Sequence, residues 1–200
     1  MDFSEVIHKR RMVRHFTSEP VDAEMVARIC DLARRAPSAG YTQGQSLVVV
    51  TREETRREIA RVCDEEEYIA SGFHPWISEA PILVVPCVSE AAYHRRYQEA
   101  DKLAESGGAE TEWPVPYWFM DIGCTVMALL LAVVNEGLAA GFAGAPTTAR
   151  RLELQRLLGI PDEYTAVGVI PIGHGAEDRP SPSLRRRRKP AEEFTHNERW

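Results

Sequence analysis

Several common signatures are missing from this 200-residue chain, and each absence excludes a class of protein. The N-terminal MDFSEVIHKRR carries charge where a signal peptide needs an apolar stretch. The longest apolar run, Cys124–Val134, is shorter than the roughly 20 residues of a membrane span. No CxxC pair and no zinc-like Cys/His spacing occurs, so we expect reduced core thiols at Cys30, Cys63, Cys87 and Cys124. The expectation is a cytoplasmic protein that does not bind a membrane.

Self-sufficient catalytic motifs are also absent. The sequence contains no GxSxG elbow and no HExxH, and the glycines of Gly137–Ala145 lack the spacing of a dinucleotide fingerprint or a P-loop. The six histidines are scattered, and none has a partner at metal-ligand spacing. We therefore assign no catalytic side chain and no metal site. An enzyme without an evident acid, base or nucleophile often takes its chemistry from a cofactor.

The charge distribution favours a confined anionic ligand. The formal net charge is −6, which disfavours non-specific nucleic-acid binding, because phosphates would repel the chain. Basic residues nevertheless cluster at the two ends: Arg10, Arg11 and Arg14 at one, and Arg185–Lys189 at the other. The alternative interpretation of both clusters is a solvated surface patch.

Apolar patterning predicts helices and strands that do not alternate regularly. Strands are expected at Ser46–Thr51 (buried on both faces), Ile82–Val88 and Tyr164–Ile172, with a short strand or turn at Gly141–Gly144. Helices are expected at Phe3–Lys9, from Asp22 to Ala36, from a Thr51/Glu54 capping box to Cys63, at Ser89–Ala104, at Tyr117–Gly137 and from Thr147 to Leu158. No repeat or linker is visible. The prediction is an α+β fold in one domain, 1–200, with 174–200 as a basic C-terminal extension.

Four segments, in order along the chain, resemble the FMN-dependent nitroreductase family. They are KRRMVRHF (Lys9–Phe16), ARRAPSAGYTQGQSLVVVT (Ala33–Thr51), the core helix with its glycine-rich turn (Pro116–Pro146), and the closing LLGIP, strand and basic tail (Leu157–Phe194). The resemblance implies a nitroreductase-like fold, with a central mixed sheet flanked by helices, in an intertwined homodimer. It also implies FMN at the dimer interface, with both chains contributing, and ping-pong electron transfer from NADH or NADPH to a small-molecule acceptor such as a nitroaromatic or a quinone.

The same resemblance assigns roles to particular residues. Arginine pairs bidentately with phosphate, so the matched arginines would hold the FMN phosphate: Arg10, Arg11 and Arg14 near the start, and Arg187 or Arg188 in the tail. Pro37, Ser38, Ala39 and Gln43 match the segment that passes the flavin ring, and Gly144 matches the turn on its far side. Aromatic side chains could line the acceptor pocket: Tyr41, Trp113 and Trp118. The alternative for the tryptophans is ordinary core or dimer contact.

Departures from the family pattern indicate a divergent subgroup. Met12 stands where serine is frequent, Tyr41 stands where asparagine is usual, and Gly44 and Gln45 replace Pro-Trp. Two other functions therefore stay open. One is different flavin chemistry on the same fold, either dehalogenation or flavin fragmentation. The other is a flavin-binding dimer without enzymatic activity.

Overall fold

The computed structural model describes residues 1–200 and contains ten α-helices and five β-strands. The strands are β1 (Gln45–Val50), β2 (Ile82–Val88), β3 (Ala139–Ala140), β4 (Thr165–Ala166) and β5 (Ile170–Gly173). The helices are α1 (Phe3–Lys9), α2 (Ala23–Ala33), α3 (Glu53–Val62), α4 (Glu65–Ala70), α5 (Trp76–Glu79), α6 (Glu90–Tyr97), α7 (Ala100–Glu105), α8 (Tyr117–Asn135), α9 (Thr148–Leu158) and α10 (Ala191–Phe194).

The strands form one sheet in the order β1-β2-β5-β3, with β4 also beside β2. The named strands all pair antiparallel, and a single bridge from Met12 to Ala140 adds a parallel pairing at the β3 edge. Helices cover both faces of this sheet. The predicted α+β class, with a central mixed sheet flanked by helices, is therefore confirmed.

The core lies in two layers, one on each face of β2. Ile82 and Val84 pack with α2 and α8, whereas Leu83 and Val85 pack with α3, α5 and α9. This division follows from the two-residue side-chain period of a strand. Because both faces are covered and both edges are paired, β2 is buried along its whole length.

Helix α8 is the long core helix that the apolar run predicted. By length and composition it could cross a membrane, but it packs against α2 and the sheet, and 44% of its most apolar stretch is buried. One face of it stays exposed and includes Cys124, which corrects the expectation of four core thiols. Cys63 and Cys87 are buried, and burial raises the pKa of Cys63 to about 12.

The capping signals predicted three helix boundaries correctly. Thr147 caps α9, which ends at Gly159, whose φ of 63° gives the left-handed backbone that favours glycine. Asp22 caps α2, although this helix ends at Ala33 and not at Ala36. After Ala33 the N–H groups of Arg35 and Ala36 donate to the carbonyl groups three residues earlier, so the chain forms a tight turn.

Two expectations around β1 were wrong. The predicted strand is present, but β1 lies at an edge of the sheet, and Val49 is 41% exposed. An apolar run predicts that a strand is covered, but the covering group need not belong to the same chain. The Thr51/Glu54 capping box does not form either, because α3 begins at Glu53 after Arg52, which makes no side-chain cap.

Three further segments differ from their predictions. The helix expected at Ser89–Ala104 is divided into α6 and α7, and the Arg96 guanidinium reaches Asp101 across the break at 2.6 Å. The last strand is divided into β4 and β5, where Gly168 packs so tightly that a Cβ there would lie 2.5 Å from the Phe142 ring. A short strand or turn was expected at Gly141–Gly144, and the strand, β3, begins two residues earlier, at Ala139.

Candidate functional site

The N-terminal arginine segment (Arg10–Arg14) lies along the outer edge of the sheet. After α1 the chain becomes extended, and Val13 N donates to Ala140 O at 3.0 Å. This pairing brings the arginine segment next to β3 and to the glycine-rich turn that follows it. Gly141 is needed there, since a Cβ would lie 2.6 Å from both Val13 O and the Trp76 ring.

Arg14 is held by aromatic rings and by the start of the tail. Its guanidinium carbon lies 5.6 Å from the Phe73 ring centroid and 5.5 Å from that of Trp76, both within cation–π range. Its backbone N–H donates to Asp178 Oδ2 at 2.7 Å. Asp178 Oδ1 and Trp76 Nε1 are buried without a hydrogen-bond partner. The sequence interpretation missed this platform, because Phe73, Trp76 and Asp178 carry no motif.

The guanidinium groups of the arginine segment have no carboxylate partner. Arg11 donates only to nearby carbonyls, including Arg10 O at 3.1 Å, and no ion pair involves any of the three arginines or the tail run 185–189. Eight arginines elsewhere do form ion pairs: Arg28, Arg34, Arg35, Arg57, Arg61, Arg95, Arg96 and Arg150. Unpaired guanidinium groups are suited to a phosphate, and here that of Arg11 is exposed while Arg10 and Arg14 are partly buried.

The tail begins beside the arginine segment. Thr17 N donates to His174 O at 2.9 Å, and Ala176 N donates to His15 O at 3.0 Å. Arg187 and Arg188 lie farther along the chain and are exposed. Gly144 is also exposed, and nothing lies within 4 Å of the position that a Cβ would take.

The flavin-facing loop predicted from the sequence (Pro37–Gln43) lies elsewhere, between α2 and β1. Ser38 Oγ accepts from Gln43 N at 2.9 Å, which closes the loop on itself. Ala39 N donates to Asp121 Oδ2 at 2.8 Å. Pro37 and the side chains of Tyr41 and Gln43 are exposed, so they are free to meet a ligand.

An aromatic cluster supports this loop. Trp113 lies 4.6 Å from Tyr97, centroid to centroid, and 5.9 Å from Trp118. Trp118 is only 8% exposed and packs with Tyr93, so it offers an acceptor little surface. Trp113 is half-buried, and Tyr41 is 76% exposed. Of the three predicted pocket residues, Tyr41 is therefore the most accessible in the protomer.

A polar clasp on Glu110 orients Trp113. Glu110 accepts from Gln98 Nε2 at 3.0 Å and from Trp113 Nε1 at 2.9 Å, and it lies 2.5 Å from His94 Nδ1. These hydrogen bonds, that of Gln98 first, lower the pKa of Glu110 to about 2. The hydrogen bond to Glu110 raises the pKa of His94 above its ordinary value.

The two groups of predicted flavin residues occupy opposite corners of the protomer. Three strand spacings, roughly 14 Å, separate β1 from β3. The loop contacts α8 through Asp121, near the start of the helix, whereas β3 follows directly after its end, about 20 Å along the axis. The chain therefore brings Arg10, Arg11 and Arg14 to the β3 edge, beside the start of the glycine-rich turn, but it does not bring them to the loop.

The donor chemistry of each corner suits the group that the resemblance implies. FMN carries a phosphate with nearly two negative charges, for which the arginine segment supplies unpaired cationic donors. The ring needs close backbone and small side chains, which the open Gly144 turn and the exposed loop supply. The residues of the two corners therefore fit FMN, with the phosphate-binding residues in one corner and the loop in the other.

Comparison with known proteins agrees with this architecture. In the curated protein set, iodotyrosine deiodinase of Nematostella vectensis is 27% identical over 201 residues, covering 96% of this chain and 74% of that protein. The structure of the nitroreductase family protein from Streptococcus pneumoniae TIGR4 aligns with a TM-score of 0.76 at 22% identity, over 98% of this chain and 100% of that one. The NADPH:FMN oxidoreductase from Vibrio harveyi, complexed with NAD+, aligns with a TM-score of 0.73 at 22% identity, over 98% and 77%.

These structural likenesses establish the fold. The model of the nitroreductase family matches residues 7–174, which include the arginine segment, the flavin-facing loop and the glycine-rich turn. The chain therefore belongs to the nitroreductase family.

Proposed function

We propose that this protein is an FMN-dependent oxidoreductase that transfers electrons from NADH or NADPH to an electron-poor aromatic acceptor, such as a nitroaromatic or a quinone. The observation that carries the proposal is the row of unpaired arginines beside the glycine-rich turn, within a segment that the family model matches. Bound FMN would supply the electron-transfer chemistry.

The residues of the chain would bind and orient the cofactor. Arg11 is exposed and Arg10 is partly exposed, so both can pair with the phosphate, and Arg14 is already fixed on its aromatic platform. The tail arginines, Arg187 and Arg188, would add a second source of positive charge. Exposed Gln43 would meet the polar edge of the ring, and Tyr41 would contact the acceptor above it.

A second copy of the chain would complete the site. Each protomer carries both corners, so a two-fold dimer can place the arginine segment of one chain against the loop of the other, twice. The exposed face of α8 supports this arrangement, because it presents an apolar stripe with small residues at its centre: Phe119, Met120, Gly123, Cys124 and Met127. Small residues permit a close approach of two helices.

The tail and the open edge of β1 also support an intertwined dimer. β1 pairs only with β2, so its other edge leaves backbone hydrogen-bonding groups unpaired. In the tail, large apolar side chains have nothing to cover them within the protomer: Leu184 is 71% exposed and Phe194 is 79% exposed. A tail that crosses onto the partner would bury such groups.

A second candidate function is reductive dehalogenation. The relative from Nematostella vectensis is an iodotyrosine deiodinase, and its match covers 96% of this chain. This candidate keeps the FMN site and changes only the acceptor. It also agrees with the departures at Tyr41, Gly44 and Gln45, which lie in and directly after the loop that would face the acceptor.

The proposal is tested with the purified protein. We expect the visible absorption of a bound flavin, or uptake of added FMN, followed by oxidation of NADH or NADPH when an acceptor is present. A nitroaromatic, a quinone and 3-iodotyrosine are assayed in parallel, with iodide release measured for the last. Rapid iodide release with slow nitro and quinone turnover would favour dehalogenation. A colourless protein that takes up no FMN would overturn both candidates.

A further inference from the structure

One carboxylate joins three elements at the corner of the flavin-facing loop. Asp121 Oδ2, on α8, lies 2.8 Å from Ala39 N of the loop and 2.8 Å from the Tyr93 hydroxyl of α6. Tyr93 is fully buried. Two donors from different elements therefore converge on the same oxygen, and they tie the loop to both helices.

The backbone of the loop depends on contacts of this kind. Gly40, Tyr41 and Gln43 have φ values of 60°, 55° and 54°, all in the left-handed region. That region is unfavourable for a residue with a Cβ, so Tyr41 and Gln43 keep it only when their surroundings determine it. An unsupported loop would relax and move the two side chains that are expected to face the ligands.

Helix α6 supports the loop from below. A Cβ on Gly40 would lie 2.7 Å from the Tyr97 ring, and one on Gly44 would lie 2.7 Å from the Tyr93 ring. Arg96 Nε donates to Gly40 O at 3.0 Å. These contacts determine how closely the loop packs on α6. Asp121, on α8, makes a different contact, because it accepts a hydrogen bond from a backbone N–H of the loop.

We propose that Asp121 and Tyr93 form a positioning pair that fixes the backbone of Ser38–Gln43 against the flavin, an inference that rests on the FMN function proposed above. Asp121 acts through the Ala39 N–H, and the Tyr93 hydroxyl holds the carboxylate in place. Burial, together with the hydrogen bond to Asp121, raises the pKa of Tyr93. The phenol therefore remains a donor at neutral pH.

Three variants test the pair, with a matched control. Tyr93→Phe removes one donor and Asp121→Leu removes the acceptor, whereas Asp121→Asn keeps an oxygen that can accept both hydrogen bonds. Tyr164→Phe is the control, because it also removes one phenol hydroxyl, but from the segment that packs against the opposite face of the sheet. The measurements are FMN affinity by fluorescence titration, the absorption band shape of bound FMN, and kcat and KM for the acceptor.

We expect Tyr93→Phe and Asp121→Leu to weaken FMN binding about 10-fold, the scale of a hydrogen bond to a charged group, and to alter the band shape. Asp121→Asn should stay within about threefold of wild type, and Tyr164→Phe should match wild type. A role limited to stability would lower the unfolding midpoint and leave the band shape unchanged.

The outcomes separate this inference from the proposed function. If wild type binds FMN and both Tyr93→Phe and Asp121→Leu bind it equally well with the same spectrum, the positioning role is wrong and the FMN function stands. If wild type takes up no FMN, the function itself is wrong and the positioning role falls with it.

Discussion

Two charged regions of this protein are built in opposite ways. Around α3, α4 and α9 several charges are paired within the chain: Arg61 pairs with Glu153 at 2.8 Å, and Arg150 pairs with Asp64 at 2.8 Å. Along the arginine segment and the tail, the cations have no carboxylate partner. The sequence does not distinguish these regions by composition, since both are rich in arginine. The difference leaves the guanidinium groups of the arginine segment and the tail available to an anionic ligand.

The largest effect is expected where the charges are unpaired. The double variant Arg10→Ala/Arg11→Ala should weaken FMN binding by at least ~100-fold, because each charge-assisted hydrogen bond to phosphate contributes about 1.5–3 kcal/mol. Fluorescence titration measures the affinity. The unfolding midpoint should change little, because neither arginine has a carboxylate partner. Equal FMN affinity in the variant and in wild type would show that these arginines do not bind the phosphate.

A charge that is satisfied by hydrogen bonds within the fold should affect stability and not binding. The buried Glu65 carboxylate accepts from Ser78 N at 3.0 Å and from Ser78 Oγ at 2.5 Å, and it also accepts from Ile77 N. Glu65→Ala leaves buried donors without a partner, so it should lower the free energy of unfolding by about 2–4 kcal/mol in urea titrations. Glu66→Ala, at the exposed neighbouring position, is the control. A loss no greater than that of Glu66→Ala would contradict the capping role of Glu65.

A smaller, pH-dependent effect is expected at the Glu110 clasp. Because the pKa of His94 is raised in the fold, its protonated imidazole stabilises the fold below pH 6.5, the ordinary histidine value. This stabilisation is lost as the pH rises through the folded-state pKa. Because the pKa of Glu110 is lowered in the fold, its ionised carboxylate stabilises the fold above pH 4.5. This stabilisation is lost as the pH falls towards about 2. Both contributions are therefore present between pH 4.5 and 6.5.

The variant Glu110→Gln measures this contribution. Its deficit in unfolding free energy should be greatest near pH 5.5–6 and should shrink by pH 8, staying below about 1 kcal/mol because His94 is substantially exposed to solvent. Glu112→Gln, which removes a neighbouring exposed carboxylate, is the control. A deficit that grows from pH 6 to pH 8 would contradict the assigned direction of the shift.

The smallest effect is expected at an exposed ion pair. Arg57 pairs with Glu53 on α3, where the two side chains are 70% and 59% exposed. Arg57→Ala should shift Tm by less than about 2 °C, because exposed pairs are screened by water, and it should leave FMN affinity unchanged. Weaker FMN binding in this variant would show that paired and unpaired arginines are not functionally distinct.

Much of the fold was predictable, because its signals are local. Ile82–Val88 is an unbroken apolar strand, and Thr147 and Gly159 mark the two ends of α9 by the chemistry of their own backbones. The short helices α4 and α5 were missed. Their contact depends on Glu65, a buried carboxylate whose neighbours in the sequence are all exposed or partly exposed acids and a tyrosine.

The spatial arrangement of the predicted site residues could not be predicted from the sequence. The arginine segment and the loop were found from motifs, yet nothing in the sequence places them in opposite corners. The hydrogen bond from Ala39 to Asp121 joins residues 82 positions apart and exists only after α6 and α8 have packed together. Asp121 belongs to no motif, and its two hydrogen bonds, with Ala39 N and the Tyr93 hydroxyl, give it a structural role.

The division of the site between two chains is tested most directly by mixing two defective variants. Arg10→Ala/Arg11→Ala damages the arginine corner. Gly40→Val damages the loop corner, because its Cβ would meet the Tyr97 ring at 2.7 Å. Neither variant alone should bind FMN or turn over an acceptor. Co-expressed chains should recover about a quarter of wild-type FMN sites, since half of randomly formed dimers would carry one intact site of two. No recovery in the mixed sample would contradict a site shared between two copies.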